Sequence, residues 1–214
     1  MYDPNTAQKA SMKTRHFSFV RHSKVNGPAA LYGKTDIAST VRGQQELLAS
    51  LERLHQETPI DYIFTSPLQR CAQTAEAFAT HHLLPISIIT ELQECNFGEW
   101  DGVDFNLLQH QWPQLESFWK SPLNVTPPNG EKLQAFSHRV INAWQDIQTQ
   151  QYCDHTLIVC HGGSIRMVIA DILNISLESA LFQQLYIDYG SHTRIDISDH
   201  PEAKPVIRWI GAPL

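Results

Sequence analysis

Two arginines, two histidines and a pair of glutamates stand where apolar runs of this chain stop. Arg21-His22 follows Phe17-Ser18-Phe19-Val20, Ser66 and Arg70 follow the run 61–65, Glu91 and Glu94 follow residues 85–90, and His161-Gly162-Gly163 follows residues 156–160. Guanidinium forks match the oxygens of a phosphoryl group and stay charged at neutral pH. An imidazole with an ordinary pKa of about 6.5 is largely neutral near pH 7 and attacks phosphorus through a ring nitrogen. A carboxylic acid in reach protonates the departing alkoxide. The set therefore spells covalent phosphoryl transfer, and a helix opening at Gly163 or Ser164 would add backbone N–H donors and the positive end of its dipole.

The elements that must position these groups can be read from periodicity. Residues 17–20, 61–65, 85–90 and 156–160 read as strands. Helices are expected over 41–54, with Leu47, Leu48, Leu51 and Leu54 on one stripe and Ser39 or Thr40 as N-cap, and from Pro67 to about residue 81. A third covers 132–150 through Leu133, Phe136, Val140, Trp144 and Ile147, and a fourth 165–173 after a tight turn at 161–164. Residues 104–120 mix helical pieces interrupted by Pro113, and 121–130 form a loop; both belong to an insertion over one edge. The last runs, 184–188, 193–197 and 205–210, look β-like, with Tyr189-Gly190-Ser191 as a turn.

This alternation predicts an α/β fold of three layers, α/β/α, with a mostly parallel sheet and an antiparallel edge. Residues 1–16 are expected to be a disordered tail and 17–214 a single domain. In such sheets ligands bind beyond the carboxyl ends of the strands, near a switch in strand order. The four chemistry-bearing segments all leave strands on that rim.

In order along the chain, Val20-Arg21-His22, the run Ser66-Pro67-Leu68-Gln69-Arg70-Cys71-Ala72-Gln73-Thr74-Ala75, the run Glu94-Cys95-Asn96-Phe97-Gly98-Glu99-Trp100-Asp101-Gly102, and Cys160-His161-Gly162-Gly163 resemble the motifs of the histidine phosphatase (phosphoglycerate mutase-like) superfamily. The resemblance implies that His22 is the nucleophile forming a phosphohistidine. It further implies that Arg21, Arg70 and His161 hold the phosphoryl oxygens and that Glu94 is the proton donor and later acceptor. Leu31-Tyr32-Gly33-Lys34-Thr35-Asp36 is similar to a loop of the α-ribazole phosphatase branch, which removes phosphate from a cobalamin-lower-ligand nucleotide. Mutases of the family usually follow the acid glutamate with arginine, whereas Cys95 stands here.

Two departures are visible. The family start Arg-His-Gly-Glu is Arg21-His22-Ser23-Lys24 here, so a residue with a Cβ occupies the turn beside the phosphate. Pro28 stands where the family often has asparagine, leaving Asn26 as a nearby substitute. Lys24, Asn26 and Gly33 are accordingly the candidate substrate contacts outside the motifs, with Trp112 and Trp119 on the insertion as a pair to test for specificity.

Composition narrows the partners. A formal net charge of −6 gives no reason to expect nucleic acid or anionic lipid, and no stretch is apolar enough to cross a bilayer or serve as a signal peptide. A cytoplasmic phosphatase of small phosphorylated metabolites is the expectation, with a homodimer as an open alternative to a monomer. Cys71, Cys95, Cys153 and Cys160 lack disulfide spacing and are expected as buried thiols. Eleven histidines include the adjacent His81-His82, but helix neighbours do not share a face, so neither metal nor cofactor is expected. A module that binds phosphate without turnover, prompted by Ser23 and Lys24, is the rival from another class.

Overall fold

The computed structural model describes residues 13–150, 153–178 and 184–214. Its elements follow in the order β1 (Thr14–Arg21), α1 (Val41–Glu57), β2 (Tyr62–Thr65), α2 (Gln69–His82), β3 (Ile86–Ile88), α3 (Trp112–Lys120), α4 (Leu133–Thr149), β4 (His155–Cys160), α5 (Gly162–Leu173), β5 (His192–Ser198) and β6 (Val206–Ala212), with short 3₁₀ turns between β3 and α3. The sheet order is β3-β2-β4-β1-β5-β6. The first four strands in that order are parallel, and β5 and β6 supply the antiparallel edge. The expected α/β/α layering is therefore what the chain adopts.

Alternate residues of β1 divide the core. Phe17 and Phe19 point to one face and meet Trp144 of α4 edge-on at 5.0 and 5.2 Å, in a core shared with α5. Val20 points to the other face and joins Leu47, Leu51 and Leu54 of α1 with Cys71, Ala75 and Phe78 of α2. Central β4 is buried along its whole length, as a strand covered on both faces must be. Thr40 caps α1, its hydroxyl accepting from the Gly43 N–H.

Several boundaries differ from the sequence reading for physical reasons. Strand β1 starts at Thr14, because residues 14–16 pair with β5, so the described end of the expected tail is sheet; residues 1–12 lie outside the described residues. Pro67 is not the first helical residue. Helix α2 opens at Gln69, whose N–H is taken by the Asp36 carboxylate from a distant loop. Pro113 sits in the first turn of α3 instead of interrupting a helix, since its missing N–H is not needed there. No turn separates β4 from α5, which opens directly on Gly162. Residues 185–188 form no strand, because carbonyls there serve arginine side chains. Cys153 is only half-buried, unlike Cys71, Cys95 and Cys160.

A buried polar chain crosses the sheet. The Ser18 hydroxyl stands 2.7 Å from His155 Nε2 and 2.9 Å from His192 Nε2. Because His155 Nδ1 donates to the Thr58 carbonyl, its Nε2 accepts from Ser18, whose oxygen then accepts from His192. Burial, reinforced by Arg194, holds both rings neutral: opposed at His155 by the Thr58 hydrogen bond, it still lowers both pKa values to about 4. Unfolded histidine takes up protons from about pH 6.5 downward, so stability is full above that pH and is lost as pH falls towards 4. Each ring should remove on the order of 2 kcal/mol by about pH 5, lowering the melting temperature by roughly 10 °C in all. Calorimetric scans between pH 7.5 and pH 5 check this; a flat melting temperature would contradict it.

Candidate active site

Register places the site. Arg21 pairs with Cys160 at the ends of neighbouring parallel strands β1 and β4, so His22 and His161 emerge side by side with ring centroids 5.2 Å apart. Backbone bonds lock the exit of β1: His22 donates to the Cys160 carbonyl, and the Gly190 N–H donates to the carbonyls of Arg21 and His22.

His22 is buried and its Nδ1 lies 2.8 Å from the Ser23 carbonyl oxygen. A carbonyl only accepts, so Nδ1 carries the proton and Nε2 keeps its lone pair. Burial, then the charges of Arg70 and Arg21, push its pKa well below the usual histidine value, against the Ser23 bond. Ser23 itself has no left-handed backbone, which is why serine replaces glycine there without strain.

A cavity of about 220 Å³ opens in front of His22, lined by Arg21, Glu94 and Arg166 among charged residues and by Leu31, Tyr32, Phe97, Phe118, Trp119 and Tyr189 among apolar and aromatic ones. Arg21 donates to the Ile187 carbonyl at 2.6 Å and lies over the Tyr189 ring at 3.9 Å, while its Nε is buried without a partner. Arg166, one helical turn beyond Gly162, donates to the Leu185 carbonyl; burial lowers its pKa, with Glu94 opposing. A Cβ on Gly162 would stand 3.2 Å from Arg166 Nη1 and 3.5 Å from Arg21 Nε. Two guanidinium groups thus converge on bare backbone at the mouth of α5.

Glu94 sits at the same helix end. Its carboxylate accepts from the Gly163 N–H at 2.8 Å and from the Cys95 N–H at 3.0 Å, so this amide of α5 serves the acid rather than standing free for an anion. Arg139 fixes the segment from behind, donating to the carbonyls of Glu91, Gln93 and Glu94 and to the Glu131 carboxylate.

Arg70 and His161 are fully buried behind His22 and do not line the cavity. Arg70 Nε donates to His161 Nδ1, which leaves His161 Nε2 to donate to the Ser66 hydroxyl at 2.8 Å. The other Arg70 nitrogens donate to the carbonyls of Tyr32, Gly33 and Thr35, leaving one N–H on Nη1 uncommitted. The Asp101 carboxylate secures that loop by accepting from the N–H groups of Gly33, Lys34, Thr35 and Phe97. Gly33 is therefore a latch position: a Cβ there would lie 1.8 Å from the Cys95 carbonyl oxygen.

Lys24 and Asn26 are not brought to the cavity. Both are exposed, and Lys24 lines a separate depression with Glu46, Ser50 and Asp188. Of the insertion tryptophans, Trp119 lines the cavity, whereas Trp112 packs against it at 5.5 Å and remains 44% exposed. Trp100 and Trp144 are core. Glu91 is exposed, and Glu99 accepts from Asn129 at the surface. Arg166, Tyr189, Asp101 and Arg139 were not singled out from sequence. Arg166 carried one readable signal, being three residues after Gly163 and so on the same face of a helix that opens at Gly162.

A three-layer fold with two histidines, arginines and a glutamate converging at one strand rim defines a phosphoryl-handling class of protein. The histidine phosphatase superfamily (branch 1) model matches residues 17–208, and the chain belongs to that phosphatase family. It is 29% identical over 185 residues to the adenosylcobalamin/alpha-ribazole phosphatase of Salmonella typhimurium, covering 84% of this chain and 89% of that one. It is 26% identical over 212 residues to the glucosyl-3-phosphoglycerate phosphatase of Mycolicibacterium vanbaalenii, covering 92% and 93%. Among solved structures, the alpha-ribazole phosphatase from Shigella flexneri superposes with a TM-score of 0.77 at 27% identity, covering 93% of this chain and 98% of that one.

Proposed function

We propose that the chain is a metal-independent phosphomonoesterase acting through a phosphohistidine on His22, with α-ribazole 5′-phosphate as substrate in a cytoplasmic setting. The observation that carries the chemistry is the His22 tautomer: Nδ1 is tied to Ser23, so the nucleophilic Nε2 is free beside a cavity holding Arg21, Arg166 and Glu94. Nε2 bonds to phosphorus as the ester oxygen leaves with its electron pair, and Glu94 gives that oxygen a proton. Ionised Glu94 then takes a proton from water, which displaces the histidine and releases inorganic phosphate. The charge spread over the phosphoryl oxygens is met by Arg21, whose Nε has no other partner, and by Arg166, with the buried Arg70 adding positive charge from behind His22. Because the cations are already in the protein, no step calls for a metal.

The leaving group faces Phe97, Phe118, Trp119 and Tyr189, a wall suited to the planar apolar base that a nucleotide carries rather than to a small carboxylate. Similarity to the named α-ribazole phosphatases supports the same choice. A panel of α-ribazole 5′-phosphate, 3-phosphoglycerate, fructose bisphosphate and an aryl phosphate, read with a search for acid-labile phosphate on the protein, tests it. Preference for the first with a histidine adduct is expected; preference for phosphoglycerate, or bound phosphate without turnover, would overturn it. Trp119→Ala should raise KM for the ring-bearing substrate roughly tenfold, from the ~1–3 kcal/mol of ring stacking, and leave glycerol phosphate unchanged.

A further inference from the structure

The adjacent histidines His81 and His82 lie in the last turn of α2, at its contact with α1. Helix neighbours are expected to diverge, yet here one ligand atom each from His81, His82 and Glu52 of α1 falls within 4.8 Å of the others. His82 Nε2 stands 2.9 Å from both Glu52 carboxylate oxygens, and its ring packs against those of His55 and Phe78, at 4.4 and 4.6 Å. His55 lends no ligand, because its Nδ1 accepts the Ile60 N–H and its Nε2 therefore carries the proton. It orients His82 instead.

We infer that Glu52, His81 and His82 form a binding site for a borderline divalent transition ion such as Zn²⁺. Two imidazoles and one carboxylate are the donor set such an ion takes, with water completing a tetrahedron. Bonds of ~2.0–2.2 Å put donor atoms about 3.3–3.6 Å apart, so one side chain must close by about an ångström. His81 is exposed, in the last turn of a helix that ends two residues later at left-handed Leu83, and its ring already lies 4.8 Å from that of His82, so its side chain can make that swing.

The topology separates this site from the phosphatase chemistry. Helices α1 and α2 return antiparallel to the parallel strands they join, so their C-terminal ends lie at the rim opposite His22 and His161. The ion would act as a clamp between α1 and α2, stabilising the fold by preferential binding to it.

Titration calorimetry of the full chain with Zn²⁺ tests the assignment, alongside Glu52→Gln, His81→Ala and His22→Ala. One saturable zinc per chain is expected, weakened at least about tenfold (~1.4 kcal/mol) in the first two variants and unaltered in the third. Zinc should raise the melting temperature of the wild type and not that of Glu52→Gln. His81 is exposed, so its removal leaves the packing of the helices in place and keeps the test independent of folding. No saturable binding, equal binding by the wild type and both site variants, or loss in His22→Ala would overturn it.

Discussion

His22→Ala is expected to reduce phosphomonoester turnover by about 10⁴-fold or more, on the order of 5.5 kcal/mol at ~1.4 kcal/mol per tenfold. The reason is local and stereochemical. Nδ1 is held by an oxygen that can only accept, so the ring presents Nε2 as a lone pair, and no other described side chain beside the cavity offers an equivalent neutral nitrogen. Burial and the two arginines keep the ring uncharged, with a pKa well below 6.5. Lowering pH protonates the nucleophile only below that depressed value, so the acid limb of kcat/KM should lie under pH 6.5 and not at it. Glu94→Gln separates the two half-reactions. With an aryl phosphate, whose leaving group needs no proton, His22 should still be phosphorylated, while water attack loses its base and acid-labile phosphate accumulates. Rapid-quench assays read both variants. Turnover of His22→Ala within tenfold of wild type would remove His22 from the role.

The parts of this site that could be read in the chain are those for which one segment carries both the element and the chemistry. An apolar run that ends in Arg21-His22, or in His161-Gly162, announces a strand and its catalytic exit together. What could not be read depends on segments far apart in sequence. Tyr189 looks like a turn residue until the Gly190 N–H is seen bonding the end of β1. Asp101 looks like a surface acid until four N–H groups close on it, and Arg139 like a helix charge until three carbonyls of the acid segment do. The same limit misplaced the start of α5. Two consecutive glycines read as a turn on propensity, but here they are helical because side-chain-free backbone is needed for the arginines at one position and for Glu94 at the next.

That last point leads to a substitution whose outcome separates positioning from folding. Gly163→Ala should lower kcat for alkyl phosphomonoesters by roughly 100- to 1000-fold, the scale of losing a general acid. An added Cβ would stand 2.0 Å from Glu94 Oε1, closer than a non-bonded carbon and oxygen can remain, and the Gly163 N–H is itself one of the two donors that hold the carboxylate. The carboxylate is the movable partner, so it must swing away from the helix end. The backbone has no reason to object: Gly163 does not have a positive φ, and alanine in place of a helical glycine contributes about 0.4–1 kcal/mol of stability. Melting temperature should therefore hold or rise while activity falls. The loss should shrink towards unity for the first half-reaction of an aryl phosphate, because its leaving group departs without a proton, and persist in the second, where Glu94 must deprotonate water. Single-turnover burst kinetics on both ester types distinguish these. Equal losses on both esters in the first step, or a collapse in melting temperature, would show that the alanine disturbs the fold rather than the acid.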